Sequence, residues 1–401
     1  MSKIFTKSGD TFKQNIFTIA AKQELHLING QSNGASATNI VRPESTVYAG
    51  QSLRYQDGVV GGPIVNQKEY LNQTIASTMT ELLILGYRSG NDEPQPIVIT
   101  ENHAVGGRNY AAIKKGGTEP NAYAKFITEL TAMQAIRPTI VKSINLVHGE
   151  ADLTDPWEIY RDNLVQFLTD YTGDILAITV DSYQPIMIVS QISSQKVYQP
   201  TNVDIIESPL ALLDVCRVSD RHFSCGPQYW IESNGGADQV HLNGRDQIIS
   251  SEYRKKVYSQ VVDNNDRTTP TATLPVTATL GTSYVDVVFY VPKPPLQFET
   301  DYIPAITDNG FVYSDDSGNT ITSVTLLNAT TVRVQLSGTV GTTPDLQYAW
   351  HNGNVANGVI SGGPRGTLCD SETATSVYYP SYIMRNYALA FRYGAGYFAF
   401  S

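Results

Sequence analysis

The chain has 401 residues, 41% of them hydrophobic, with 28 basic against 38 acidic side chains, a formal net charge of −10 and a pI near 5.1. That apolar content excludes global disorder, and an acidic chain without clustered Lys and Arg is not expected to take nucleic acid as its partner. No run of about 18 apolar residues is present, so no membrane-spanning helix is expected.

The first fifteen residues, MSKIFTKSGDTFKQN, lack the apolar stretch of a secretory leader, and residues 1–20 read as a polar N-terminal segment without a signal peptide. Strand-like and helix-like segments then alternate. Short β-branched runs at 24–29, 96–100, 139–147 and 185–191 have the character of buried parallel strands. Helical patterns lie at about 66–86, 119–136 and 156–171, the last opening with Asp155 as N-cap and Pro156 as first helical residue. A further helix is expected at about 244–261. Such alternation predicts a three-layer α/β/α domain over 21–265, whose ligands sit at the carboxyl ends of the strands.

Composition changes near residue 270. Of the 66 charged side chains only 14 fall in 271–401, which also holds 18 threonines, and the polar stretch Asn264–Pro270 reads as a linker. Segments 284–291, 321–327 and 331–337 are β-rich and separated by Gly/Asn/Asp turns. They predict a smaller antiparallel β-sandwich over 271–401, acting as a separate module for glycan binding or assembly. The three cysteines, Cys216, Cys225 and Cys369, form no disulfide framework and no C-x-x-C pair.

Four stretches fall where such a sheet would place a site. Gly30-Gln31-Ser32-Asn33-Gly34 follows the first strand, where a tight turn can present a serine hydroxyl. Read literally it also matches the G-x-S-x-G elbow of α/β-hydrolases. Asp238-Gln239-Val240-His241, however, spaces a carboxylate and an imidazole three residues apart, close enough for the acid to orient the base. The acid and the histidine of α/β-hydrolases normally lie on separate loops. His103-Ala-Val-Gly106-Gly107 and Val147-His148-Gly-Glu150-Ala-Asp152 follow two further strands.

An early Gly-x-Ser with a late Asp-x-x-His resembles the SGNH (GDSL-type) hydrolases. The Gly-Gln-Ser-Asn opening and the Gly-Glu-x-Asp block resemble their sialate O-acetylesterase-like and plant-type carbohydrate acetylesterase branch. The resemblance covers roughly residues 20–260 and implies a flavodoxin-like parallel sheet, with Ser32 as nucleophile, His241 as general base and Asp238 as its orienting carboxylate. It implies an oxyanion hole from the backbone amides of Ser32 and of Gly106 or Gly107. His148 stands where the branch has a glutamine and is expected to donate to the oxyanion in its place. Gln31, Asn33, Glu150 and Asp152 would support the loops. His26, His103 and His148 show no metal-ligand spacing, so neither a metal nor another cofactor is expected, and His103 reads as structural.

The implied activity is a serine esterase removing O-acetyl groups from carbohydrate, bacterial surface polysaccharide in particular. A leaderless polar start, a Thr/Asn/Gly-rich β part and an esterase block together resemble a bacteriophage tailspike or tail-fibre enzyme, which would sit in the virion tail, as a trimer if so. The segment 362–370, GGPRGTLCD, resembles part of the accessory β-domains of such esterases. The alternatives are a cytoplasmic esterase or thioesterase on small soluble esters, and a glycan-binding attachment protein without catalysis.

Overall fold

The computed structural model describes residues 19–35, 52–55, 64–66, 74–90, 95–193, 206–230, 240–350 and 364–401. Residues 1–18 of the N-terminal segment, 67–73 of the expected 66–86 helix, Gly362, Gly363 and Asp238 lie outside them, and Asn66 is in a strand, not in that helix.

The first strand, β1 (Ile19–Gly30), runs through the middle of a seven-stranded sheet in the order β3-β2-β4-β1-β5-β6-β7. Its neighbours are β4 (Gln95–Asn102) and β5 (Thr139–Val147), both parallel to it. Next come β6 (Ile186–Gln191) and β7 (His222–Pro227), also parallel, and on the other side β2 (Ser52–Tyr55). Only β3 (Ile64–Asn66) is antiparallel. The inner order β4-β1-β5-β6-β7 is the flavodoxin-like arrangement. Successive side chains of β1 point to opposite layers. Leu25 and Leu27 pack with Phe126, Phe167 and Tyr171, while Ile28 meets Ile75 and Ala76. The strand is buried on both faces, so its polar Gln23, His26 and Asn29 are enclosed along with its leucines.

The long helices follow from the segments between strands. α2 (Ile75–Ser89) is capped by Thr74, whose hydroxyl accepts the Ala76 N–H at 3.0 Å. With α7 (Gly244–Tyr258) it covers one face; α4 (Tyr123–Ile136), α5 (Trp157–Ile178) and α6 (Ser208–Val218) cover the other. Two short helices, α1 (Ser32–Ala35) and α3 (Tyr110–Ile113), sit on loops at the carboxyl ends of β1 and β4. The start of α5 differs from its reading in sequence. Pro156 is the cap itself, and the Trp157 N–H donates to the Glu207 carboxylate at 2.8 Å, a partner fifty residues away. The helix α6 and the strand β7 had no counterpart in the sequence reading.

Beyond Pro270 the chain forms antiparallel sheets. The largest, in the order β12-β13-β9-β8, comprises β8 (Leu274–Leu280), β9 (Tyr284–Tyr290), β12 (Ile321–Asn328) and β13 (Thr331–Leu336). A second, β11-β14-β16, comprises β11 (Phe311–Ser314), β14 (Asp345–Tyr348) and β16 (Phe391–Tyr393). A two-stranded ribbon pairs β10 (Gln297–Phe298) with β15 (Leu368–Cys369). Phe289 of the first sheet meets Phe391 of the second at 5.9 Å between ring centres, inside a sandwich core of Val285, Val287, Val332 and Val334.

The change at residue 270 is a change of sheet, not of core. One hydrophobic cluster runs from Ile249, Tyr253 and Val257 of α7 through Tyr229 and Trp230 into Tyr382, Tyr387 and Leu389. Gln191, at the end of β6, receives the Ala390 N–H at 2.7 Å and donates to the Ala390 carbonyl at 2.9 Å, acting as a strand edge for the C-terminal part. The Tyr229 hydroxyl donates to the Ala388 carbonyl at 2.7 Å. Both parts thus contribute side chains to one buried cluster.

Burying a large apolar side chain is worth about 1.5–3 kcal/mol, so uncovering Tyr229, Trp230, Tyr253 and Val257 together would cost about as much as the whole net stability of an ordinary domain, about 5–15 kcal/mol. A chain ending at residue 268 should therefore lose its cooperative thermal transition. A sharp melt from that fragment, followed by circular dichroism, would show that the α/β part stands alone.

Candidate active site

β1 ends at Gly30, whose φ of +131° suits glycine, and a Cβ there would stand 2.0 Å from the Val147 carbonyl oxygen. That close approach of β1 to β5 turns the chain, and the Gln31 N–H closes the turn on the same carbonyl at 3.0 Å. Ser32 follows as the first residue of α1, partly exposed at the carboxyl end of the sheet.

Asn33, fully buried, determines what faces that serine. Its side-chain amide donates to the Val240 carbonyl at 3.2 Å, and its side-chain oxygen accepts the Leu242 N–H at 3.0 Å. His241 is thus bracketed on both sides by bonds to the residue next to Ser32. The Gln247 side chain adds a third tie, donating to the Asn33 carbonyl at 2.8 Å. Two residues 209 apart in sequence are brought together by one side-chain amide. Asp238 lies outside the described residues.

Glu150 closes the constellation from below. One carboxylate oxygen accepts the Gln31 amide at 2.8 Å and the other the Asn33 amide at 3.1 Å, while the Gln31 side-chain oxygen accepts the Ala151 N–H at 3.2 Å. Burial raises the Glu150 pKa, and its own backbone bond, the Asn33 amide and the nearby His241 charge each pull it back. Glu150 is thereby a positioning group, with both oxygens already engaged.

The β4 loop supplies the other wall. The His103 N–H donates to the Ile28 carbonyl at 2.8 Å and the Val105 N–H to the Gly30 carbonyl at 3.0 Å, so the loop runs alongside the serine turn. A Cβ built on Gly106 would lie 3.7 Å from the Ser32 Cβ, whereas one on Gly107 (φ +69°) would touch nothing within 4 Å. Gly106 therefore faces the serine. Among the described residues, the N–H groups of Ser32 and Gly106 donate to no protein acceptor.

His148 is placed differently from its expected role. Its ring is 1% exposed, Nδ1 lies 2.6 Å from the Tyr160 hydroxyl, and Nε2 lies 3.0 Å from the Arg108 carbonyl oxygen. A carbonyl only accepts, so the ring proton sits on Nε2, and Nδ1 accepts from Tyr160. Burial lowers the His148 pKa to about 4, which keeps the ring neutral. With its single N–H on Arg108, the ring has no donor left for an oxyanion; it holds the loop that carries Gly106. Asp152 helps from the same turn, accepting the Tyr110 N–H at 3.0 Å, with burial pushing its pKa up to about 7.

His103 is buried beneath the loop, its Nδ1 3.0 Å from the Asn121 carbonyl oxygen and its Nε2 2.9 Å from Glu129. Ligand atoms of Glu101, His103 and Glu129 lie within 4.8 Å of one another, a grouping that spacing in sequence does not reveal. The bonds to Asn121 and Glu129 fasten the end of β4 to α4. A cleft of about 580 Å³ between the two parts is lined by Cys216, Arg217, His222, Arg267, Thr269 and Val276. It opens at the amino end of β7, the opposite end of the sheet from Ser32. Among the described residues, no helix is long and apolar enough to cross a membrane.

Fold and geometry together define an α/β protein in which the segments that carry Ser32 and His241 are tied to one another at the carboxyl end of a parallel sheet. A solved carbohydrate acetylesterase from Xanthomonas citri has the same fold, with a TM-score of 0.61 and 14% identity over 92% of this chain and 80% of that one. A protein of known structure from Arabidopsis thaliana is similar over 59% of this chain and 97% of its own, at 13% identity and a TM-score of 0.46. No family model matches the chain, and no curated protein does.

The buried histidines set an acid limit. Burial lowers His26 to about 3 and His148 and His222 to about 4, all below the ordinary value. Between pH 6.5 and 4 the unfolded chain takes up protons at these rings and the folded chain does not. Their contribution to stability is thus present above pH 6.5 and lost as the pH falls toward 4. The raised carboxyl of Asp152 acts in the opposite sense over part of that range. His148→Gln should give a Tm that falls less steeply from pH 6.5 to 4.5 than the wild type does. Identical slopes would mean that His148 is not held neutral.

Proposed function

We propose that the protein is a serine esterase that removes O-acetyl groups from carbohydrate through an acyl-enzyme on Ser32, with bacterial surface polysaccharide as its substrate. The observation that supports this reading is the pair of Asn33 side-chain bonds to Val240 and Leu242, which ties the segment holding His241 to the residue next to Ser32. The likeness in fold to a carbohydrate acetylesterase supports the substrate class.

In this mechanism His241 accepts the proton of the Ser32 hydroxyl as its oxygen attacks the acetyl carbonyl. Asp238, three residues earlier, orients the imidazole and stabilises its charged form. The negative charge that develops on the carbonyl oxygen is met by the backbone N–H groups of Ser32 and Gly106. His241 then gives its proton to the departing sugar oxygen, which leaves as a hydroxyl, and water, activated by the same imidazole, releases acetate from Ser32. The donor expected of His148 is absent from this scheme; its part is to keep the Gly106 loop in place.

The test is acetate release from a purified O-acetylated bacterial polysaccharide. Ser32→Ala should lower turnover by about 10³-fold or more while circular dichroism shows a folded protein, since Ser32 lies on a partly exposed turn. Turnover retained in Ser32→Ala would overturn the assignment. Wild-type hydrolysis of p-nitrophenyl acetate without acetate release from the polysaccharide would point to small soluble esters instead.

A further inference from the structure

The C-terminal part also reaches the rim of this site. α7 begins directly after the His241 segment, capped by Asn243, whose side-chain oxygen accepts the Asp246 N–H at 3.0 Å. Arg245 stands in its first turn, four residues beyond His241, with a side chain 44% exposed. Its guanidinium carbon lies 5.5 Å from the ring centre of Tyr379 and 5.8 Å from that of Tyr382. Both tyrosines belong to the C-terminal part.

These rings are firmly mounted. Glu252, two turns further down α7 and 5% exposed, accepts the Ser376 hydroxyl at 2.5 Å and the Val377 N–H at 2.6 Å. Tyr378 donates to Glu81 of α2 at 3.1 Å, and Tyr302 to the Ser381 carbonyl at 2.6 Å. Tyr382 itself is wedged against Trp230 and Tyr302, with ring centres 5.6 and 5.1 Å away. From Glu252 to Arg245 is about 10 Å along the helix axis at 1.5 Å per residue, so segment 376–382 climbs from its anchor to the level of the site. Asp246 lies 3.6 Å from the Arg245 guanidinium but is only 1% exposed, so the cation, not the carboxylate, meets solvent.

We propose that Arg245, held against Tyr379 and Tyr382, is a subsite for a carboxylate-bearing sugar residue next to the acetylated one; the proposal rests on the esterase reading for its place beside the acetyl group. A guanidinium is a planar fork of donors that matches a carboxylate with two parallel hydrogen bonds, and stacking on aromatic rings restricts it before the ligand arrives. The chain as a whole carries a net charge of −10 and repels an anionic glycan, so one exposed guanidinium at the mouth favours a correctly placed acidic residue.

Binding tests this independently of turnover. In Ser32→Ala protein, calorimetry measures the affinity for an O-acetylated oligouronate and for its carboxyl-reduced counterpart. Adding Arg245→Ala should weaken binding of the oligouronate at least tenfold and leave the carboxyl-reduced ligand nearly unaffected; Arg245→Lys, which keeps the charge and loses the fork, should fall between. Equal loss for both ligands, no loss for either, or no binding of the oligouronate to the Ser32→Ala protein would overturn the proposal. Failure of the esterase reading is a separate result, seen as turnover retained in Ser32→Ala.

Discussion

The site depends on one buried amide. Asn33 uses its side-chain donor on the Val240 carbonyl and on Glu150, and its acceptor on the Leu242 N–H, so three segments meet at a single planar group. An apolar residue there would leave a buried carbonyl, a buried N–H and a carboxylate each short of a partner, and an unmade bond in the interior costs more than a formed one contributes. An aspartate would keep the acceptor but lose the donor, and it would face Glu150 with like charge. Only an amide serves all three. This is why the residue after the serine matters as much for geometry as the serine itself.

Around that amide the protein keeps its ionisable groups short of full charge. Burial raises Glu150 and Asp152 and lowers His148, in each case toward the neutral form. The partly exposed Ser32 and His241 lie above this layer, and the buried groups beneath them serve as hydrogen-bonding struts. His148 shows the economy of the arrangement. Its neutral ring joins Tyr160 on α5 to the Arg108 carbonyl, and through it the Gly106 loop rests on the longest helix of the described fold. A glutamine could make one such bond with its amide N–H and accept another with its oxygen, so the difference between the two residues is one of reach more than chemistry.

The C-terminal sheets are bound to this frame by groups that imitate missing backbone. Gln191 prolongs β6 with a side chain, and Glu252 receives a hydroxyl and a backbone N–H from one turn of the C-terminal part. Arg254, two residues further on and wholly buried, faces the parallel sheet instead, donating to the Ile188 carbonyl and the Ser190 hydroxyl. A helix that carries two buried charges and the beginning of the active-site rim cannot shift without disturbing both parts. The position of the C-terminal loop beside His241 therefore follows from α7 and needs no contact with the serine.

The sequence by itself determined the α/β alternation, the places of the parallel strands β1, β4, β5 and β6, and the antiparallel character of the part after residue 270. Buried strands and amphipathic helices write their period directly into local residue order. The serine turn and the histidine segment were legible for the same reason: each is a short stretch of special residues at the end of a strand. Helix α6 and strand β7 were not: the helix is a short apolar run without a clear period, and the strand, His-Phe-Ser-Cys-Gly-Pro, holds no β-branched residue. Tertiary structure alone decided that Pro156 is a cap served by Glu207, that His148 spends its only N–H on Arg108, and that Gly106 rather than Gly107 faces Ser32. It alone decided that the change in composition at residue 270 does not divide the core. Each of these depends on which groups meet across 40 to 210 residues of chain, and the direction of a hydrogen bond between distant partners leaves no mark on the spacing of either.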